Sequence, residues 1–240
     1  MTIRIVLADD HRMMRDGLSA LLNKDSGFDV VGVAEDGLGA IRLARELLPD
    51  VLVTDLAMPG MNGIEAIRRV RAETPSVHVL CLSVHTEDRM VLAGIDAGAA
   101  GYVLKDSSFE DLALAIRKVM ARQIYLSPGL VGVFVEGYRT RGSAVVGSAF
   151  SQLTPREREI VQLFSEGHST GQIAEQLHLS AKTVATHREN VLHKLRIESI
   201  AELTRYAIRE GLSSLEAPCR NTLAATSTSK SAKLGKGVSP

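Results

Sequence analysis

Hydrophobic positions in the first half of the chain follow two alternating rhythms. Short, continuous, β-branched runs at 3–9, 28–33, 51–55, 77–83 and 101–104 read as strands buried on both faces. Amphipathic stretches lie near 12–23, 37–47, 63–73 and 86–97, and a fifth follows at 108–122. In the first of these, Met14, Leu18, Leu21 and Leu22 recur at helical spacing. Ser107 and Glu110 have the spacing of a capping box opening the last helix. Five successive βα units predict a parallel sheet with right-handed crossovers and helices on both faces.

The rhythm breaks across 127–150. Pro128, glycines at 129, 132, 137, 142 and 147, and scattered small residues predict a linker with a helical turn near Leu130–Tyr138. Order resumes at Ser151. Thr154-Pro155-Arg156-Glu157 supplies an N-cap, a proline at the first helical position and a glutamate at N3. That helix is expected to run to about Glu166 and end at Gly167. A short helix around Gln172–Leu177, a longer one from a Ser180 cap to about Leu195, and a fourth at roughly 199–211 surround a tight turn, the outline of a helix-turn-helix module. From about Leu215 almost no large apolar residue remains, which predicts disorder. The expected units are 1–126, a flexible linker at 127–147, an all-α domain at 148–213 with its helix-turn-helix motif at about 170–189, and a basic Ser/Thr/Lys-rich tail at 214–240.

Composition narrows the class. Cys81 in an apolar strand and Cys219 in the polar tail do not make a disulfide framework. No apolar run approaches a membrane span. Met1 leads almost directly into a strand, so a signal peptide is not expected and a cytoplasmic protein is. The formal net charge is +0, unevenly spread: residues 1–127 carry 14 basic and 18 acidic side chains, 151–215 carry 8 of each, and the tail from 216 has 4 basic against 1 acidic. A neutral helical module does not declare a nucleic-acid binder by charge. That function has to rest on motif and geometry.

The chemistry gathers at strand ends. Asp9 and Asp10 follow the first strand, Asp55 the third, Ser83 the fourth and Lys105 the fifth. Open α/β sheets place their ligands at this edge. Taken singly, an Asp-Asp pair most often caps a helix, and a lysine or serine at a strand end is ordinary. Taken together, three acids from two strand ends can share a hard divalent cation, with an ammonium and a hydroxyl at hand to meet a phosphoryl group.

With Met58-Pro59-Gly60-Met61-Asn62-Gly63 after Asp55, and Gly101-Tyr102-Val103-Leu104 before Lys105, residues 1–122 resemble the receiver domain of two-component response regulators. The resemblance implies a flavodoxin-like (βα)5 fold and phosphorylation of Asp55 by a partner sensor histidine kinase. It also implies a Mg2+ site formed by Asp9, Asp10, Asp55 and the Ala57 backbone carbonyl, catalytic roles for Ser83 and Lys105, and a switch pair of Ser83 and Tyr102. The physical chemistry agrees: a carboxylate nucleophile needs in-line positioning and neutralisation of the equatorial phosphoryl oxygens. A phosphatase with an aspartyl-phosphate intermediate would carry a second Asp two residues after the nucleophile, where this chain has Ala57. No enzymatic role is expected beyond catalysis of the protein's own phosphorylation and dephosphorylation.

On a helical wheel over Ser180–Leu195, Val184, Val191, Leu192 and Leu195 fall on one side; Lys182, Ala185, Thr186, Glu189 and His193 fall on the other, free to enter a major groove. Leu153-Thr154-Pro155-Arg156-Glu157-Arg158-Glu159, Ile173-Ala174 and Ser180-Ala181-Lys182-Thr183-Val184-Ala185-Thr186-His187 resemble a LuxR-type helix-turn-helix over about 151–212. A receiver joined to this module is the layout of the NarL/FixJ class of response regulators. That resemblance implies base-edge contacts from Ala185, Thr186 and Glu189, and phosphate contacts from Lys182 and Thr183. The implied partners are the kinase, promoter DNA, a second copy of the chain on phosphorylation, and RNA polymerase, with no membrane. The alternative is a phosphorylation-gated module whose helix-turn-helix contacts protein. The receiver is expected to dock on the 181–195 helix or otherwise hinder it, and Tyr102 to turn inward on phosphorylation.

Overall fold

The computed structural model describes residues 2–84, 86–141 and 152–213. In the first unit β1 (Ile3–Ala8), α1 (Arg12–Lys24), β2 (Phe28–Ala34), α2 (Gly37–Leu47), β3 (Val51–Thr54), α3 (Gly63–Glu73), β4 (His78–Ser83), α4 (Asp88–Asp96), β5 (Gly101–Leu104) and α5 (Phe109–Met120) alternate strictly. These strands pair in parallel, in the order β2-β1-β3-β4-β5. The chain winds one way from β1 to β2 and the other from β3 onward, so the β1 and β3 ends flank the crevice where such sheets bind ligands.

β1 from Ile5 and all of β3 are buried, as continuous apolar runs between two helical layers require. One face packs α2, α3 and α4 through Ile41, Ala44, Ile67, Val70 and Val91. The other packs α1 and α5 through Leu22, Leu112, Ile116 and Val119. Asp36 caps α2 and Asn62 caps α3, each side chain accepting a backbone N–H three residues on.

Three sequence expectations shift. The capping box of α5 is Ser108 with Asp111, one residue beyond the Ser107–Glu110 pair. A sixth strand, β6 (Tyr125–Leu126), extends the sheet beside β5. The helical turn expected near Leu130–Tyr138 is longer: a 3-10 turn at Pro128–Leu130 leads into α6 (Val131–Arg141), and Leu130 is fully buried. Residues 142–151, which span the end of the expected linker and the start of the expected all-α domain, and the tail at 214–240 for which disorder was expected, lie outside the described residues.

The second unit comprises α7 (Pro155–Ser165), α8 (Thr170–Gln176), α9 (Ala181–Leu195) and α10 (Ile200–Arg209). Thr154 and Glu157 form the expected capping box; Ser169 and Gln172 form a second that opens α8 earlier than expected. His178, with φ 53°, turns the chain between α8 and α9 while the Leu179 N–H returns to the Ala174 carbonyl. Val184, Val191, Leu203 and Ala207 close the core with Ile160 and Leu163. Lys194 of α9 reaches both carboxylate oxygens of Glu157 at 2.8 Å, tying the third helix to the first.

The two units are docked. α7 and the end of α10 pack against α3, α4 and the loop between β3 and α3. Asn62 Nδ2 donates to the Leu212 carbonyl at 3.3 Å, and Gly211 sits so close to α4 that a Cβ there would fall 1.9 Å from Met90 Sδ. Arg69 pairs with Glu159, and Arg89 with Glu210 at 3.4 Å.

Candidate functional site

Strand geometry assembles the predicted acids. β1 delivers Asp9 and Asp10, β3 delivers Asp55, and ligand atoms of Asp9, Asp10, His11 and Asp55 all lie within 4.8 Å of one another. Asp9 and Asp55 are buried. Asp9 Oδ1 accepts the His11 N–H at 2.8 Å. Asp55 Oδ1 accepts the N–H groups of Leu56 at 2.6 Å and Ala57 at 3.3 Å, which fixes the carboxylate plane and turns Oδ2 toward β5. There the Lys105 ammonium lies 2.7 Å from Asp55 Oδ2 and 2.7 Å from Asp9 Oδ2.

The charges tune one another. Burial works to lower the Lys105 pKa, but Asp55 and Asp9 outweigh it and hold the ammonium above its ordinary range. Burial raises the Asp10 carboxyl, opposed by His11 and reinforced by Asp55 and Asp9. Carboxylates clustered from two strand ends could hold a hard divalent cation. Ala57 lines the same cavity. His11, which the sequence reading passed over, is drawn in by adjacency alone, its Nδ1 lying 2.8 Å from Asp10 Oδ1.

Ser83 and Tyr102 lie deeper, both fully buried. Burial pushes the Tyr102 phenol up, and a hydrogen bond with Ser83 works against that. The inward turn expected of Tyr102 is therefore already made in this conformation. Gly94 of α4 leaves the room: a Cβ there would meet the tyrosine ring at 3.6 Å and Cys81 Sγ at 3.3 Å.

The second unit roofs this edge. A cavity of about 1100 Å3 has Asp10, Asp55 and Lys105 on one side and Glu166, Ile208 and Leu212 on the other. The loop after β3 is gripped from α7: Gln162 bonds Met58 and Asn62, and Glu166 takes the Gly60 N–H. Sequence reading missed these residues, since polar side chains on an amphipathic helix read as solvated.

On α9, Lys182, Thr186 and Glu189 are exposed, and Thr183 and Ala185 are half-buried. Thr186 Oγ1 donates to the Lys182 carbonyl at 3.1 Å, leaving its lone pairs outward. The face of α9 expected to meet DNA is thus not covered by the receiver, where docking on or hindrance of the 181–195 helix was expected; the interdomain contacts fall on the first and fourth helices instead.

Comparison with known proteins gives this arrangement its family. Residues 5–117 match the response regulator receiver domain, and residues 151–207 match the bacterial regulatory proteins of the luxR family. The response regulator protein VraR of Staphylococcus aureus is 35% identical over 212 residues, which is 88% of this chain and 99% of that protein. Among solved structures, a LuxR-family two-component response regulator from Aurantimonas sp. SI85-9A1 is 37% identical with a TM-score of 0.55, covering 58% of this chain and 99% of its own. RcsB from Salmonella enterica serovar Typhimurium, bound to promoter rprA in the presence of the phosphomimetic BeF3-, is 26% identical with a TM-score of 0.56, covering 86% and 98%. The chain belongs to the two-component response regulators that join a receiver domain to a LuxR-type helix-turn-helix, the NarL/FixJ class, and is a DNA-binding regulator of transcription.

Proposed function

We propose that Asp55 accepts a phosphoryl group from the phosphohistidine of a sensor kinase, and that this acylphosphate governs pairing of two chains on promoter DNA. The observation that carries the reading is the buried Lys105 ammonium bridging Asp9 and Asp55 at 2.7 Å each. Asp55 Oδ1 is held by two backbone amides, so Oδ2 is the oxygen free to attack phosphorus once Lys105 moves to the incoming phosphoryl oxygens. The new O–P bond forms as the P–N bond to histidine breaks, and the imidazole leaves with the bonding pair. Ser83 is the hydroxyl donor for a phosphoryl oxygen, and Tyr102 its switch partner. Asp9, Asp10, Asp55 and the Ala57 carbonyl would hold Mg2+, which supplies neutralisation of the equatorial oxygens when bound.

Ala185, Thr186 and Glu189 face base edges, and Lys182 and Thr183 face phosphates. Because this face is exposed in the docked chain, control acts on how two helix-turn-helix domains are placed relative to each other. A dimer on two half-sites is then the functional unit, in the cytoplasm, with RNA polymerase as the further partner to test. The RcsB complex on promoter DNA with a phosphomimetic supports this reading. Among the described residues no helix is long and apolar enough to cross a membrane.

The test is to incubate the protein with acetyl phosphate and Mg2+ and map the acylphosphate by mass spectrometry after borohydride trapping. Label at Asp55, absent in Asp55→Asn and abolished by chelation, is the expected result. Label that persists in Asp55→Asn refutes the assignment.

A further inference from the structure

Gln162 belongs to α7 of the DNA-binding domain, yet its side chain is spent on the receiver. It is 1% exposed. Its Oε1 accepts from the Asn62 N–H at 3.0 Å and from Asn62 Nδ2 at 3.1 Å. Its Nε2 donates to the Met58 carbonyl at 3.0 Å and to Glu166 Oε1 at 2.8 Å. A primary amide has two acceptor and two donor positions, and all four are used. One helical turn on, Glu166 accepts the Gly60 N–H with both oxygens, at 3.0 and 3.2 Å. Three backbone groups of the 58–62 loop therefore end on two side chains of another domain.

That loop is the wall of the phosphorylation site. It starts beside Ala57, the residue whose carbonyl is assigned to the metal. It ends at Asn62, whose Oδ1 caps α3 through the Glu65 N–H at 2.9 Å. Gly63 then packs so tightly on β3 that a Cβ there would fall 1.9 Å from the Asp55 carbonyl oxygen. Within the loop, the Met61 N–H to Pro59 carbonyl bond at 2.8 Å closes only a local turn, and Gly60 is in the left-handed region with φ 72°. Undocking would hand Met58, Gly60 and Asn62 back to water and loosen the segment that carries the Ala57 carbonyl.

We infer that Gln162, supplied by the DNA-binding domain, is a positioning residue of the phosphorylation site: it holds the 58–62 loop so that the docked chain binds Mg2+ more tightly than the released one. The inference rests on the assignment of Asp9, Asp10, Asp55 and Ala57 to a metal. By linkage, Mg2+ binding then favours docking by the same factor by which docking tightens Mg2+ binding.

The experiment is calorimetric titration of the full chain with Mg2+, with amide hydrogen exchange at Gly60 and Asn62 as an independent readout. Gln162→Ala should weaken Mg2+ by at least about five-fold, the lower end of ordinary coupling between sites, and should speed exchange at both amides. Gln162→Met keeps side-chain length while removing every hydrogen bond, and should do the same if the alanine variant folds poorly. Arg89→Ala, which removes an ion pair of the same interface but touches none of the loop, should leave Mg2+ affinity within two-fold. Wild-type chain that binds no Mg2+ removes the metal assignment itself. Wild-type chain that binds Mg2+ while both Gln162 variants bind it equally well overturns the positioning role and leaves the assignment standing. An Arg89→Ala loss as large as that of the Gln162 variants, in a chain that scattering shows still docked, also overturns it, since the loop contacts would then be intact while the affinity is lost.

Discussion

Arg158 of α7 and Glu65 of α3 meet across the domain boundary as a buried ion pair: Arg158 Nε and Nη2 donate to Glu65 Oε2 at 2.9 and 2.8 Å, with both side chains almost fully enclosed. A buried pair is strongly sensitive to loss of one member, by about 3–5 kcal/mol, because the remaining charge stays desolvated. Here relief is available, because undocking returns the guanidinium to water. Glu65→Gln should therefore shift the chain toward the undocked form. Release of the helix-turn-helix domains to pair should raise affinity for a two-half-site fragment without any phosphodonor, and scattering should report a larger radius. A variant as compact and as weakly binding as wild type would show that the pair does not hold the domains together.

Glu166 gives the same interface a pH dependence. Burial raises its pKa above the ordinary 4.5, against the pull of Gln162, the Gly60 N–H and neighbouring His168. The docked state then holds the proton more tightly than the released state, where the carboxyl is solvated. Its contribution to docking is fully present below 4.5 and is lost as pH rises through the raised value. Scattering between pH 4.5 and 7.5 should show the wild-type chain opening with rising pH and Glu166→Gln opening less. Identical profiles for the two proteins would remove Glu166 from the interface energetics.

Asp10→Ala tests the acid cluster directly. Mg2+ affinity should fall by at least about 10-fold, a loss that even outer-shell changes cause at metal sites. Calorimetry that finds the ion bound unchanged would place the cation elsewhere.

The exposed face of α9 predicts two distinct failures. Thr186→Ala should cost about 1 kcal/mol at a particular base pair and change sequence preference. Lys182→Ala should weaken all sites similarly and lower the salt slope by about one per half-site. Binding to a selected site that survives both substitutions would mean another element reads the DNA.

Much of this is legible in the sequence. The buried runs of β1, β3 and β4 announce themselves by continuous β-branched residues, and topology then brings Asp9, Asp10, Asp55, Ser83 and Lys105 to one edge. Tyr125-Leu126 is too short a run to signal a strand, and it pairs only because β5 offers an open edge. The glycines of 127–150 limited the expectation to a helical turn near Leu130–Tyr138, whereas α6 runs over Val131–Arg141 with the buried Leu130 just before it. Two adjacent serines, each with an acid three residues on, left the α5 cap ambiguous by one position. The interdomain contacts were beyond reach for a different reason. Gln162, Glu166 and Arg158 find partners about a hundred residues away, and no local period encodes such a pairing.

The central claim, that phosphorylation of Asp55 controls DNA binding, is tested most directly by titrating a two-half-site promoter fragment with the full chain, with and without acetyl phosphate and Mg2+. Wild-type protein should gain about 5- to 150-fold in affinity, the range of coupling between distinct sites, and Asp55→Asn should gain nothing. Equal affinity of wild-type protein with and without phosphodonor, or an equal gain in Asp55→Asn, would contradict the account.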